Sequence, residues 1–146
     1  MEPEFSGLGN TPWLEQRDEG DVELFVSYYD TETTQSLRHS VGLQGGLIGI
    51  INAFADDAYR GSNNVVITHE LMHTLGARDK YGADNLPVFP EGYAGPFQTP
   101  RYPQIAAEIM GGRIALSPLK MKMPGSLSEV VIGAYTAVEI NWPVNQ

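Results

Sequence analysis

The chain contains no cysteine. That excludes disulfides, thiolate metal ligands and cysteine nucleophiles together. Positive charge is also scarce: 9 Lys and Arg stand against 18 Asp and Glu, a net charge of −9. A chain this acidic is not built around a nucleic-acid partner, nor around a polybasic contact with a membrane surface. No run of 18 apolar residues occurs, so no transmembrane helix is expected within it. The first residues, Met1-Glu2-Pro3-Glu4-Phe5, lack the cationic and apolar regions of a signal peptide. There is no internal repeat and no linker between two cores.

What is present fits one globular domain over 1–146, with 1–20 as an irregular lead-in anchored by Trp13 and Leu14. Hydrophobic residues make up 42% and charged ones 18%, a globular rather than a disordered balance. Sixteen glycines and ten prolines in 146 residues exceed their usual joint share of about 12%. Long ordered loops follow from that excess.

The local patterns predict a small α+β fold. Residues 22–29 alternate Val22, Leu24, Val26 and Tyr28 against Glu23, Phe25, Ser27 and Tyr29, the period of a strand. A second, β-branched strand is predicted near 47–53, beside a turn or bulge at Gly45-Gly46. Ser62-Asn63-Asn64 precede the apolar run from Val65 and predict the cap of a buried helix reaching about Leu75, with Gly76 as its C-terminal stop. Five prolines make 80–104 a long irregular loop, which Tyr81, Phe89, Tyr93, Phe97 and Tyr102 can order. Ser126 and Glu129 form a capping box, and Val131, Ala134, Tyr135 and Val138 follow at helical spacing, predicting a final helix over about 127–141.

The chemistry lies in His69-Glu70-Leu71-Met72-His73-Thr74-Leu75-Gly76-Ala77-Arg78-Asp79. Histidines four apart on a helix share one face, so two imidazoles can bind one zinc ion. Glu70, offset around the helix from His69, can hydrogen-bond a metal-bound water as a base. A catalytic zinc needs a third protein ligand. A positive φ at Gly76 lets the chain turn back and present Asp79. Glu91 and Glu108 are the alternative carboxylates. By composition, H-E-x-x-H arises by chance in roughly one such chain in 200, and far more rarely with the Gly and Asp in place. Asp56-Asp57 and Asp84-Asn85 lack calcium-loop spacing and read as solvated turns, and His39 as a loop residue.

His69, Glu70, His73, Gly76 and Asp79 resemble the extended motif of the metzincin clan of zinc peptidases, in its Asp-terminated, snapalysin-like form. Ala107-Glu108-Ile109-Met110-Gly111-Gly112 resembles the clan's Met-turn, with Met110 beneath the zinc site. The resemblance implies a compact metzincin-like domain: a small mixed twisted sheet, an active-site helix, the Met-turn and a C-terminal helix. It implies one Zn²⁺, bound by His69, His73 and Asp79, with Glu70 as general base. A peptide or protein is then the substrate, and the setting is exported or cell-envelope. Where some members place a Tyr two residues after the methionine, this chain has Gly112, leaving Tyr81, Tyr93, Tyr102 and Arg113 as candidates for oxyanion or substrate contacts. A strand within 41–51 could pair with an extended substrate. The rival readings are a zinc-stabilised or degenerate binding module, and a zinc hydrolase of a non-peptide bond.

Overall fold

The structure is a computed structural model that describes residues 22–43 and 46–143. The expected lead-in over 1–20 with Trp13 and Leu14, and Gly45 of the expected turn, lie outside the described residues. Strands β1 (Glu23–Tyr29) and β3 (Ile48–Phe54) run parallel, in continuous register from Glu23↔Ile48 to Tyr29↔Phe54. Strand β2 (Val41–Gly42) pairs antiparallel on the other side of β3, so the sheet is mixed, in the order β1-β3-β2. Side chains alternate across a strand. Gly49, Ile51 and Ala53 of β3 are buried, while Ile50 between the first two is exposed.

The inner face of β3 carries helix α1 (Arg60–Thr74). Only Arg60 and Asn64 of this helix are exposed, which fits the buried helix expected. Its start differs from the expectation. A 3-10 turn, Asp57–Tyr59, leads in, with Asp56 accepting from the Ala58 N–H at 2.8 Å. Asp57 pairs with Arg60 at 2.6 Å. The two aspartates read as a solvated turn are therefore the helix entry. Ser62, Asn63 and Asn64 fall inside the first turns instead of capping them. Asn63 has a stronger use there: its amide donates to the Phe54 carbonyl at 2.9 Å and accepts from the Phe54 N–H at 3.2 Å, tying the helix to the end of β3.

Strand β2 lies directly on α1. A Cβ on Gly42 would sit 2.4 Å from the Glu70 carbonyl oxygen and 2.7 Å from His73 Cβ, so glycine alone lets the two backbones approach this closely. The contact brings the segment before β2 alongside the helix.

After the long loop, β4 (Ala107–Glu108) pairs parallel with β7 (Val130–Val131). Between them, β5 (Ile114–Ser117) and β6 (Lys120–Lys122) form an antiparallel pair. The core joins Val65 and Met72 of α1 to Ala77, Ile109 and Met110, with Leu71, Val130 and Ile140 packed around them.

The expected final helix over 127–141 is divided. Residues Leu127–Glu129 form a 3-10 turn, β7 follows, and only α2 (Ala134–Glu139) is α-helical. The capping box does not form. Ser126 bonds Ser128 at 2.7 Å, and Glu129 turns to the Gly125 N–H at 2.6 Å and Lys122 at 2.9 Å. Two β-branched valines follow, and pairing with β4 satisfies their backbone groups better than a helix they disfavour.

Candidate metal centre

His69 and His73 lie one turn apart on α1, with ring centroids 4.8 Å apart. His69 Nδ1 meets the Ile109 carbonyl at 2.8 Å, and His73 Nδ1 meets the Ala77 carbonyl at 2.8 Å. A carbonyl only accepts, so both Nδ1 atoms carry hydrogen and each neutral ring presents its lone pair at Nε2. Both Nε2 atoms point at one oxygen, Asp79 Oδ1, at 3.1 Å and 3.0 Å.

Gly76 makes this possible. Its φ is +108°. The Gly76 N–H donates to the His73 carbonyl and the Ala77 N–H to the Met72 carbonyl, each at 3.0 Å, which is the Schellman ending of a helix. That ending aims the Ala77 carbonyl back at His73 and sends the chain toward Asp79, as the spacing predicted.

Asp79 is held from both sides. The Arg78 N–H donates to Glu139 at 2.9 Å, and the Lys80 N–H donates to the Met110 carbonyl at 2.9 Å. The buried Lys80 ammonium pairs with Glu139 at 2.7 Å, and Arg78 reaches the other oxygen of Glu139 at 3.1 Å. Burial pulls the Glu139 carboxyl upward, but Lys80 and Arg78 outweigh it and hold the group below its ordinary value of 4.5. This pairing therefore stabilises the fold above that range and is lost as pH falls through the lowered value. Glu139→Gln leaves the Lys80 ammonium buried without its anion. The expected cost is about 3 kcal/mol in chemical denaturation, the lower end for a broken buried pair. Adding Lys80→Met should recover much of it. A double variant as unstable as the single one would refute the pairing argument.

Three lone-pair atoms facing one another need a positive charge among them. A proton on one imidazole is one way to supply it. Burial lowers the pKa of His69, but the Asp79 hydrogen bond, the Ile109 carbonyl and the charge of Glu70 together raise it above 6.5. Asp79 is correspondingly lowered, first by His69, against the opposing effect of its burial. A divalent cation answers the same need. Two imidazole nitrogens and a carboxylate oxygen are zinc donors, and tetrahedral bonds of about 2.0–2.1 Å imply ligand separations of roughly 3.3–3.4 Å, near the two distances seen. Among the described residues, this is the one group of three such side chains close enough to share an ion, with ligand atoms within 4.8 Å of one another. Asp79→Ala is expected to lower zinc affinity by more than the roughly 10–100-fold typical of losing an outer hydrogen-bond partner, measured by competition with a chelator. An equal loss in Glu91→Ala would move the third ligand.

A cavity of about 360 Å³ opens beside the cluster. His69, Glu70, Tyr81 and Arg113 line it, with Val65 and Val66 one turn back along α1. Glu70 is only 8% exposed. Tyr81 lies 6.2 Å from the His69 ring, between centroids, and lines the same cavity. Burial first, then Asp79, pushes its phenol up to about 12, so it remains a donor.

The structure moves two expected site residues elsewhere. Tyr93 and Tyr102 bond each other through their hydroxyls at 2.8 Å and neither lines this cavity. Tyr93 is buried edge-on to Phe89, an aromatic cluster that orders the loop and takes these rings out of reach. Glu108 is no ligand either. It is fully buried, and its carboxylate accepts from the N–H groups of Met110, Gly111 and Gly133 and from the Thr136 hydroxyl. Glu91 is exposed and outside the cluster. Met110 is fully buried in a turn closed by the Gly112 N–H on the Glu108 carbonyl, 2.9 Å, and that turn supplies the Ile109 carbonyl to His69.

Sequence reasoning missed part of the cavity wall: Leu37, Arg38, His39 and Ser40. Asn52 pins their backbone, its amide reaching the Arg38 and His39 carbonyls at 3.4 Å and 3.1 Å, while its own N–H donates to Ser40 Oγ at 2.9 Å. Asn52 is the one polar side chain in an otherwise apolar strand, and that is the sequence signal for this support. No helix among the described residues is long and apolar enough to cross a membrane. No protein-family model, curated protein or solved structure matches the chain.

Proposed function

We propose that the chain is a zinc-dependent peptidase, metzincin-like in its motif, with His69, His73 and Asp79 holding one zinc ion and Glu70 as general base. One observation carries this reading: two imidazoles, each fixed at Nδ1 by a carbonyl, turn both Nε2 atoms onto one carboxylate oxygen, beside a cavity that holds a buried glutamate. When bound, zinc supplies a Lewis acid for the scissile carbonyl and lowers the pKa of a coordinated water toward ~7.

Glu70 takes a proton from the attacking water and returns it to the departing amine. The Ile109 and Ala77 carbonyls keep both rings in the tautomer that offers Nε2, the outer-partner role typical of ligating histidines. Tyr81 lines the cavity beside His69 and Glu70 and keeps its proton, so it is the candidate donor to an oxyanion there. Met110 packs under the site among Met72 and Ala77 without offering a ligand.

A structural zinc site usually closes with four protein ligands and has no use for a base. Here three ligand side chains converge among the described residues, beside Glu70, which favours hydrolysis over a zinc-stabilised binding module. The test is to present the zinc-loaded chain with a diverse peptide mixture and read new termini by mass spectrometry. New termini that vanish on chelation are expected. One bound zinc with no cleavage of any peptide would favour the structural site or a non-peptide substrate.

A further inference from the structure

The chain has few cations, and most of the described guanidinium groups are engaged. Arg60 pairs with Asp57 and Arg78 with Glu139, while Arg101 lies over the Phe89 ring. The other two, Arg38 and Arg113, have no ion pair among the described residues, and both line the cavity beside His69. Arg113 is half-buried, and its one hydrogen-bonding contact is the Met123 sulfur, a weak acceptor. In a chain with twice as many acids as bases, a half-buried guanidinium without a carboxylate is costly unless something brings one.

Both residues are placed by the fold. Arg113 enters β5 directly, beside the buried Ile114 that pairs with Lys122. The backbone of Arg38 is held by Asn52. The one carboxylate lining the cavity is Glu70.

We propose that this cavity binds a carboxylate of the substrate through Arg113, with Arg38 as the second cation, and that the peptides cleaved carry such a group next to the scissile bond. The second clause rests on the peptidase reading; the binding itself does not. An acidic side chain and a free C-terminal carboxylate share this chemistry, and Arg offers either a two-pronged match.

The test uses Glu70→Gln chain and three short peptides, followed by NMR shifts of the arginine Nε–H groups. One peptide is capped at both ends and contains Glu, one is its Gln counterpart, and one is the Gln peptide with a free C-terminus. A carboxylate peptide is expected to bind at least about tenfold more tightly than the capped Gln peptide. Whichever of the two does so identifies the source. The ratio should fall toward one in Arg113→Gln and survive in part in Arg113→Lys, which keeps the charge and controls for misfolding. Equal binding of all three peptides, or a ratio unchanged in Arg113→Gln and Arg38→Gln, would overturn the proposal. The same peptides given to the zinc-loaded chain separate the two readings. Carboxylate-selective binding with no cleavage would sink the peptidase and keep the cavity assignment, whereas cleavage without selectivity would do the reverse.

Discussion

Glu70→Gln should lower peptide cleavage by about 10²–10⁴-fold, the usual contribution of a positioned general base, while the chain still binds one zinc ion. The amide is nearly isosteric and Glu70 is not among the three clustered ligand side chains, so metal content should not follow activity down. The neighbouring His69 gives the contrast: His69→Ala should lose metal and activity together. Parallel zinc titrations and kcat/KM measurements separate the two effects. Wild-type activity in Glu70→Gln would remove the base from this residue.

Glu108→Ala should be the most destabilising single change in this half of the chain. The carboxylate satisfies four donors: Met110 N–H at 2.7 Å, Gly111 N–H at 2.9 Å, Gly133 N–H at 3.1 Å and Thr136 Oγ1 at 2.6 Å. Each buried donor left without a partner costs about 1–3 kcal/mol. With some relaxation, a total near 4 kcal/mol is expected, a large part of the roughly 5–15 kcal/mol that holds a domain together. At about 2–4 °C per kcal/mol for a chain of this size, the melting temperature should fall by about 8–16 °C. Glu108→Gln should recover only part of this. One oxygen serves the turn at Met110 and the other serves Gly133 and Thr136, so an amide nitrogen faces one of those pairs with donors against donors. A shift under about 2 °C in Glu108→Ala would show that the turn and α2 hold each other without it.

The parts of the site that were legible in the sequence are those set by local geometry. Helical spacing aligned His69 with His73, and a glycine at 76 allowed the turn to Asp79 because backbone sterics at a single residue decide it. Glu108 was open to reading as a ligand because its burial depends on Gly133 and Thr136, which are distant in sequence. The final helix was overextended for the same reason: Val130 and Val131 are captured by a strand more than twenty residues earlier. Tyr93 and Tyr102 sit near the motif in sequence but found each other, and their pairing leaves no local trace. The wall at 37–40 depends on Gly42 meeting α1 and on Asn52, both of which are tertiary contacts.

The hydrogen bonds around His69 span very different lengths of chain. Its approach to Asp79 closes a loop of 10 residues, whereas its bond to the Ile109 carbonyl closes one of 40. Two doublings of loop length add only about 1.2 kcal/mol of closure entropy, but they separate the two contacts in the order of synthesis. The three clustered side chains all lie within 69–79, so the cluster leaves the ribosome about thirty residues before the turn that fixes one of its rings. The Ile109 carbonyl that fixes the His69 tautomer and the Met110 carbonyl that accepts from the Lys80 N–H both come from that later turn.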